Sequence, residues 1–134
     1  MVRALLPHFR AQSGGRIINI ASVGGRQGID FAPAYCASKA AVINLTQSLA
    51  AALGADNINV NTVCPGSIST VMLKQIHALR TRSGEVDSRR YPGPILPGPL
   101  SAQDIGYAVV FFASKYANNI TGQALNVDRG SVMN

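Results

Sequence analysis

Charged residues are scarce in this sequence. They make up 13% of its 134 residues, against 47% apolar ones, which excludes an intrinsically disordered chain, since disorder needs the reverse balance. Aromatics are scarcer still, at 6%, so the net charge of +6 lacks the interleaved aromatic platforms of a nucleic-acid surface. Arg80, Arg82, Arg89 and Arg90 form a local basic group, read as solvated or substrate-facing. Two cysteines, Cys36 and Cys64, are too few for a disulfide framework, and no Cys/His cluster has metal-ligand spacing. Both are expected to be small buried hydrophobes. His8 and His77 stand alone. The longest apolar run, 107–113, is too short to cross a bilayer. Residues 1–7 lack the apolar core of a signal peptide. A cytoplasmic protein with no membrane or nucleic-acid partner is therefore expected. No repeat, low-complexity tract or linker divides the chain, whose length fits one domain with a modest core.

What is present reads as alternating helices and strands. Val2 to Gln12 has helical spacing interrupted by Pro7, and reads as the tail of a helix whose beginning is not included. Gly14-Gly15 breaks it, and Ile17 to Ala21 is a buried strand. Gly24, Gly25 and Gly28 lie in a loop, Ser22 to Ala32, suited to bending closely around a ligand. Pro33 opens a helix that runs to about Leu53 and is capped at Gly54. Small residues slim its first half, and Leu45, Leu49, Ala52 and Leu53 form a stripe for core packing or a subunit contact.

Ile58 to Val63 is the second strand, closed by Pro65-Gly66. A short helix is expected over Val71 to Arg82, then an irregular, Pro-rich stretch from Ser83 to Pro99 read as a lid. Ser101 to Asp104 is a capping box for a helix ending near Tyr116, and Ala124 to Val127 is the last strand. The expected architecture is α/β: three parallel strands with helices on both faces.

The organising stretch runs from Arg16 to Lys39. Residues four apart share a helical face, so Tyr35 and Lys39 point into the same space. Ser22 stands at the carboxyl end of the preceding strand, where open α/β sheets place their ligands. Each residue has a commoner reading: a packing tyrosine, a solvated lysine, a capping serine. Their strand–loop–helix setting favours one site instead.

This stretch resembles the active-site segment of the short-chain dehydrogenase/reductase family, with its serine thirteen residues before a Tyr-x-x-x-Lys helix. The likeness continues through residues 59–70 and 120–128. It implies a partial Rossmann-type doubly wound sheet, with 1–134 as the carboxyl-terminal portion of a single domain. The family's Gly-rich dinucleotide-binding half, and the asparagine of its site, would lie upstream of Met1. The resemblance further implies Ser22, Tyr35 and Lys39 as catalytic residues, and NAD or NADP as cofactor with no preference readable. Tyr35 and Lys39 would also touch the cofactor, Lys39 at the ribose hydroxyls. Pro65, Gly66, Ile68 and Thr70 would lie along its nicotinamide half, Ile68 through backbone groups and Thr70 through its hydroxyl. At Arg129 the chain departs from the family's glycine-type turn, read as local variation.

The implied reaction is hydride transfer between a nicotinamide and a secondary alcohol or ketone, which needs an acid/base for the hydroxyl proton. A free phenol, with a pKa of about 10, is a poor base at neutral pH, but a neighbouring ammonium and an oxidised nicotinamide both favour phenolate. Tyr35 would be the acid/base, Lys39 its tuner, and Ser22 the donor that holds the substrate oxygen. The partners would be a small alcohol or ketone and, through the helices of the full-length protein, a second copy. The alternative is a catalytically inactive truncated fragment that at most associates with another subunit.

Overall fold

The computed structural model describes residues 2–68 and 93–133. Helix α1 spans Val2–Ala11, strand β1 Gly15–Ile20 and helix α2 Pro33–Leu53. Strand β2 spans Ile58–Pro65, helix α3 Ala102–Ala113 and strand β3 Ala124–Val127. The strands form one parallel sheet in the order β1-β2-β3, with Gly15 opposite Ile58 and Thr62 opposite Ala124. The expected layout of three parallel strands with flanking helices is therefore present.

Alternation along the strands divides the core into two layers. Ile58 and Val60 of β2, with Ile17 of β1, pack against Ala50 and Leu53 of α2 and against Leu6 and Phe9 of α1. Val63 and Ile18, of opposite parity, pack with Ile105, Ala108 and Phe112 of α3. Both faces of the sheet are covered, and the strands still carry polar residues, Asn19 in β1 and Asn59, Asn61 and Thr62 in β2. Three buried polar side chains pin the layers and all find partners. Thr46 of α2 donates to Val42 O at 2.8 Å and accepts from Asn19 Nδ2 at 2.9 Å. Thr62 donates to Asn19 O at 3.0 Å, and Asn61 donates to Ile120 O at 2.8 Å while accepting from Gln123 N at 3.0 Å.

Several boundaries differ from those expected. β1 starts at Gly15, because its pairing with β2 begins there, and only the Ala21 N–H continues the ladder, to Val63 O at 2.8 Å. β2 runs on to Pro65, since β3 pairs with it that far. α1 ends at Ala11, one residue before Gln12, with Pro7 inside it. α2, by contrast, stops at Leu53 with Gly54 as its cap, as expected, the glycine having a right-handed φ of −59°. The chain continues as a 3-10 turn, Gly54–Asp56, and Asn57 takes the left-handed position with φ 57°. α3 stops at Ala113 because Ser114 caps a new 3-10 turn, Lys115–Ala117, accepting from Tyr116 N at 3.2 Å. The capping box at Ser101 and Asp104 is formed in both directions.

The expected helix 71–82, the first part of the Pro-rich stretch, and the basic group Arg80, Arg82, Arg89 and Arg90 lie outside the described residues. Where that stretch is described again, residues 93–99 carry no helix or strand, as expected. Arg129 is more than a turn variant. It sits in the left-handed region with φ 59°. Its carbonyl accepts from Ile95 N and Leu96 N at 2.9 and 3.1 Å. Its Nη1 donates to Leu96 O at 3.2 Å, so it straps this segment to the turn after β3. Among the described residues, no helix is long and apolar enough to cross a membrane.

Candidate active site

Parallel strands end together at one edge of the sheet, and the candidate residues gather there. Ser22 follows β1 in extended conformation (φ −172°, ψ 156°) and caps a 3-10 turn, Val23–Gly25. Its Oγ accepts from Gly24 N at 3.1 Å, and the residue is 8% exposed. A serine hydroxyl has one donor and two acceptor positions. Capping uses an acceptor and leaves the proton available to an incoming oxygen. The structural role and the chemical one are compatible in a single side chain.

Tyr35 lies in the first turn of α2 and is 43% exposed. Its ring and the Ser22 hydroxyl flank the same space. A methyl group on Gly24 would lie 3.2 Å from Tyr35 Cε1 and 3.5 Å from Ser22 Oγ. One helical turn on, Lys39 sends its Nζ to the carbonyl of Ile20, the last residue of β1, at 3.3 Å. The same Nζ lies 5.8 Å from the centroid of the Tyr35 ring. The hydroxyl, phenol and ammonium named from the sequence are brought together.

This convergence depends on how closely the serine turn approaches α2. A Cβ on Gly25 would lie 2.7 Å from Lys39 C and 2.8 Å from Ala40 N. Only hydrogen fits, so glycine lets the turn rest on the helix backbone.

The loop after β2 borders the same edge. Pro65 ends the strand and Gly66 N donates to Val127 O at 3.0 Å. A Cβ on Gly66 would lie 2.7 Å from Asp128 Cβ, so this turn is packed against the one after β3. Ile68 packs its side chain on the α3 layer. Thr70 lies outside the described residues.

Beneath the serine turn is a side chain that the sequence reading passed over. Arg26 closes the 3-10 turn, and its Nη2 donates to the carbonyl of Ala124 on β3. The Cys64 thiol of β2 lies close by, fully buried. Burial pushes that thiol's pKa up, while the Arg26 guanidinium and the Ser22 N–H pull against it. Cys64 is thus buried as expected, although it faces a cation rather than a purely apolar wall. The only sequence signal for Arg26 was a cation inside a glycine-rich turn.

A polar cavity of about 380 Å³ opens at the opposite, amino-terminal end of the strands, lined by Gly14, Gly15, Arg16, Asn57, Asn59, Asn118 and Asn119. Arg16 donates there to the side-chain oxygens of Asn59 and Asn118, tying strand starts together. It lies a strand length, roughly 20 Å, from the residues above. Among the described residues, no group of His, Cys, Asp or Glu could hold a metal ion.

A family model described as enoyl-(acyl carrier protein) reductase matches residues 1–132. The chain belongs to the short-chain dehydrogenase/reductase family. It is 37% identical over 128 residues to 2-(S)-hydroxypropyl-CoM dehydrogenase 3 of Xanthobacter autotrophicus, which covers 96% of this chain and 50% of that protein. Its fold is similar to a short-chain dehydrogenase from Mycobacterium paratuberculosis bound to NAD, with TM-score 0.84 and 31% identity over 97% of this chain and 50% of that one. It is similar also to a variant of actinorhodin polyketide ketoreductase with NADPH, with TM-score 0.80 and 32% identity over 96% and 49% of the two chains. The chain thus spans about half the length of these family members.

Proposed function

We propose that residues 1–134 are the carboxyl-terminal portion of a single Rossmann-type domain, and that the site at its strand ends belongs to an NAD(P)-dependent oxidoreductase acting on a secondary alcohol or ketone. The observation that carries this reading is the meeting of Ser22, Tyr35 and Lys39 around Gly24 and the end of β1. The relatives with NAD and NADPH support the cofactor class.

The donor set fits the nicotinamide-ribose half of such a cofactor. An ammonium has three donor positions, and Lys39 spends one on the Ile20 carbonyl. The others remain for ribose hydroxyls and for the phenol. Tyr35 would border the same ribose. Pro65, Gly66, the Ile68 backbone and Thr70 would border the carboxamide side. The pyrophosphate end would need a Gly-rich strand–helix turn, and the strand–turn–helix of this chain leads instead into the site itself.

When bound, the nicotinamide accepts or supplies the hydride. The chain's own work is with the oxygen and its proton. Ser22 donates to the substrate oxygen and holds it toward the phenol. Tyr35 removes the hydroxyl proton in oxidation and returns it in reduction. Lys39 places its positive charge beside the ring, 5.8 Å from its centroid. The site would act in the cytoplasm, and a second copy would pack along the helices.

The deciding experiment is steady-state NAD(P)(H)-dependent turnover with a panel of secondary alcohols and ketones, comparing the intact enzyme with its Tyr35→Phe variant. Removing a general acid/base lowers kcat by about 10²–10⁴-fold, with circular dichroism unchanged. Undiminished turnover in Tyr35→Phe would show that the phenol is not the acid/base.

One observation favours the alternative of a non-catalytic fragment for the 134-residue chain by itself. β1 is the first strand of the sheet, and among the described residues its outer edge has no strand beside it. Such an edge pairs readily with another chain. On that reading the isolated chain binds NAD(P)H weakly or not at all, and micromolar binding by the folded chain would refute it.

A further inference from the structure

The turn that carries Ser22 is built from pliable material. Two of its residues are glycines, and its backbone hydrogen bonds are local: Gly25 N to Ser22 O at 2.9 Å, and Arg26 N to Val23 O at 2.9 Å. The last ladder bond of β1 is made by Ala21, before the serine. Beyond that point, residues 22–26 reach distant elements through the Ser22 N–H and the Arg26 guanidinium at the Cys64 thiol of β2, and through Arg26 Nη2 at Ala124 O of β3.

The path of that side chain matters. It starts at the residue closing the turn that Ser22 opens, and passes the Cys64 thiol on β2. It ends at the first residue of β3. One guanidinium therefore ties the serine turn to both of the strands that follow β1. The planar fork suits this task, since its donors point in fixed and divergent directions while an ammonium is a single point. Its Nε is buried without a partner, and its neighbours at Cys64 and Ala124 are neutral.

We propose that Arg26 is a positioning residue for Ser22. It holds the Val23–Gly25 turn down on the sheet, so that the hydroxyl stays on the Tyr35 side of Gly24. This rests on the oxidoreductase reading for its catalytic consequence, but the tether itself can be measured without turnover.

The test uses the full chain with Arg26→Met and Arg26→Lys. The first readout is amide hydrogen exchange by NMR at Gly24, whose N–H donates to Ser22 Oγ and so reports where that hydroxyl sits. Arg26→Met is expected to speed Gly24 exchange at least tenfold, with Val63 in the centre of the sheet unchanged. Arg26→Lys should recover part of the protection, leaving an increase of about threefold. Gly24 exchange within twofold of wild type in both folded variants would overturn the tether, as would an equal rise at Val63. If Arg26→Met does not fold, Arg26→Lys decides by the same threefold criterion.

The second readout is kinetic, in the intact enzyme. Arg26→Met should lower kcat about tenfold or more, with KM for the nicotinamide cofactor unchanged, because the residue acts on the substrate oxygen's donor and not on cofactor contacts. A rise in KM for the cofactor with kcat unchanged would overturn the positioning role. A wild-type enzyme without turnover would instead sink the oxidoreductase reading, and Gly24 exchange would still decide the tether.

Discussion

Replacing Gly25 by alanine tests how the site is assembled. The new Cβ would sit 2.7 Å from the carbonyl carbon of Lys39 and 2.8 Å from both Lys39 O and Ala40 N. All three are backbone atoms of α2 and cannot swing aside as a side-chain tip could. Ordinary contact begins at 3.4 Å, so the serine turn must recede from the helix by about 0.7 Å. Gly25 is not among the glycines with positive φ, so alanine accepts its backbone conformation and the effect is steric. Overpacking of this kind costs about 1–3 kcal/mol, read as a lower urea midpoint with an unchanged m value. In an active enzyme the separation of Ser22 from Tyr35 and Lys39 should lower turnover by about 100-fold, since misplacement near 1 Å has that effect. Gly28→Ala is the control, because nothing lies within 4 Å of its Cβ, and it should stay within about 0.5 kcal/mol of wild type. If Gly25→Ala proves as stable and as active as Gly28→Ala, the turn does not depend on close contact with α2 and the account of the site is wrong.

Other outcomes follow from the same packing. Phe112→Ala empties the centre of the α3 layer, where the ring is 3% exposed, and should cost about 3–5 kcal/mol in chemical denaturation. Folding lowers the Asp104 pKa, first through the Ser101 hydroxyl and then its backbone N–H. The capping box therefore stabilises α3 above the pKa of an unfolded aspartate, and that contribution disappears as pH falls through the lower folded value. Acid titration of stability should show this loss, and Asp104→Asn should abolish it. A thiol reagent at pH 8 should label the half-buried Cys36 and spare Cys64, whose pKa is raised by burial; equal labelling in folded protein would contradict the buried position.

Much of this protein is written locally. The hydroxyl, phenol and ammonium were legible because a strand end, a proline-started helix and a spacing of four residues determine where side chains point. The capping box at Ser101 and the last strand were legible for the same reason, since their signals are contained within a few residues. Strand limits were not. β1 and β2 reach as far as their neighbours pair with them, and no residue within Gly15–Ile20 or Ile58–Pro65 encodes that partner's length. The end of α2 at Leu53 with Gly54 as its cap was legible, whereas the end of α3 was revised by tertiary context, where Ser114 starts a new turn before Tyr116. Two arginines mark what only the folded chain decides. In sequence, Arg26 is a cation in a loop and Arg129 a misfit in a turn. Their roles depend on Ala124 and Leu96, 98 and 33 residues away, and contacts across such separations arise only when the sheet has brought the segments together.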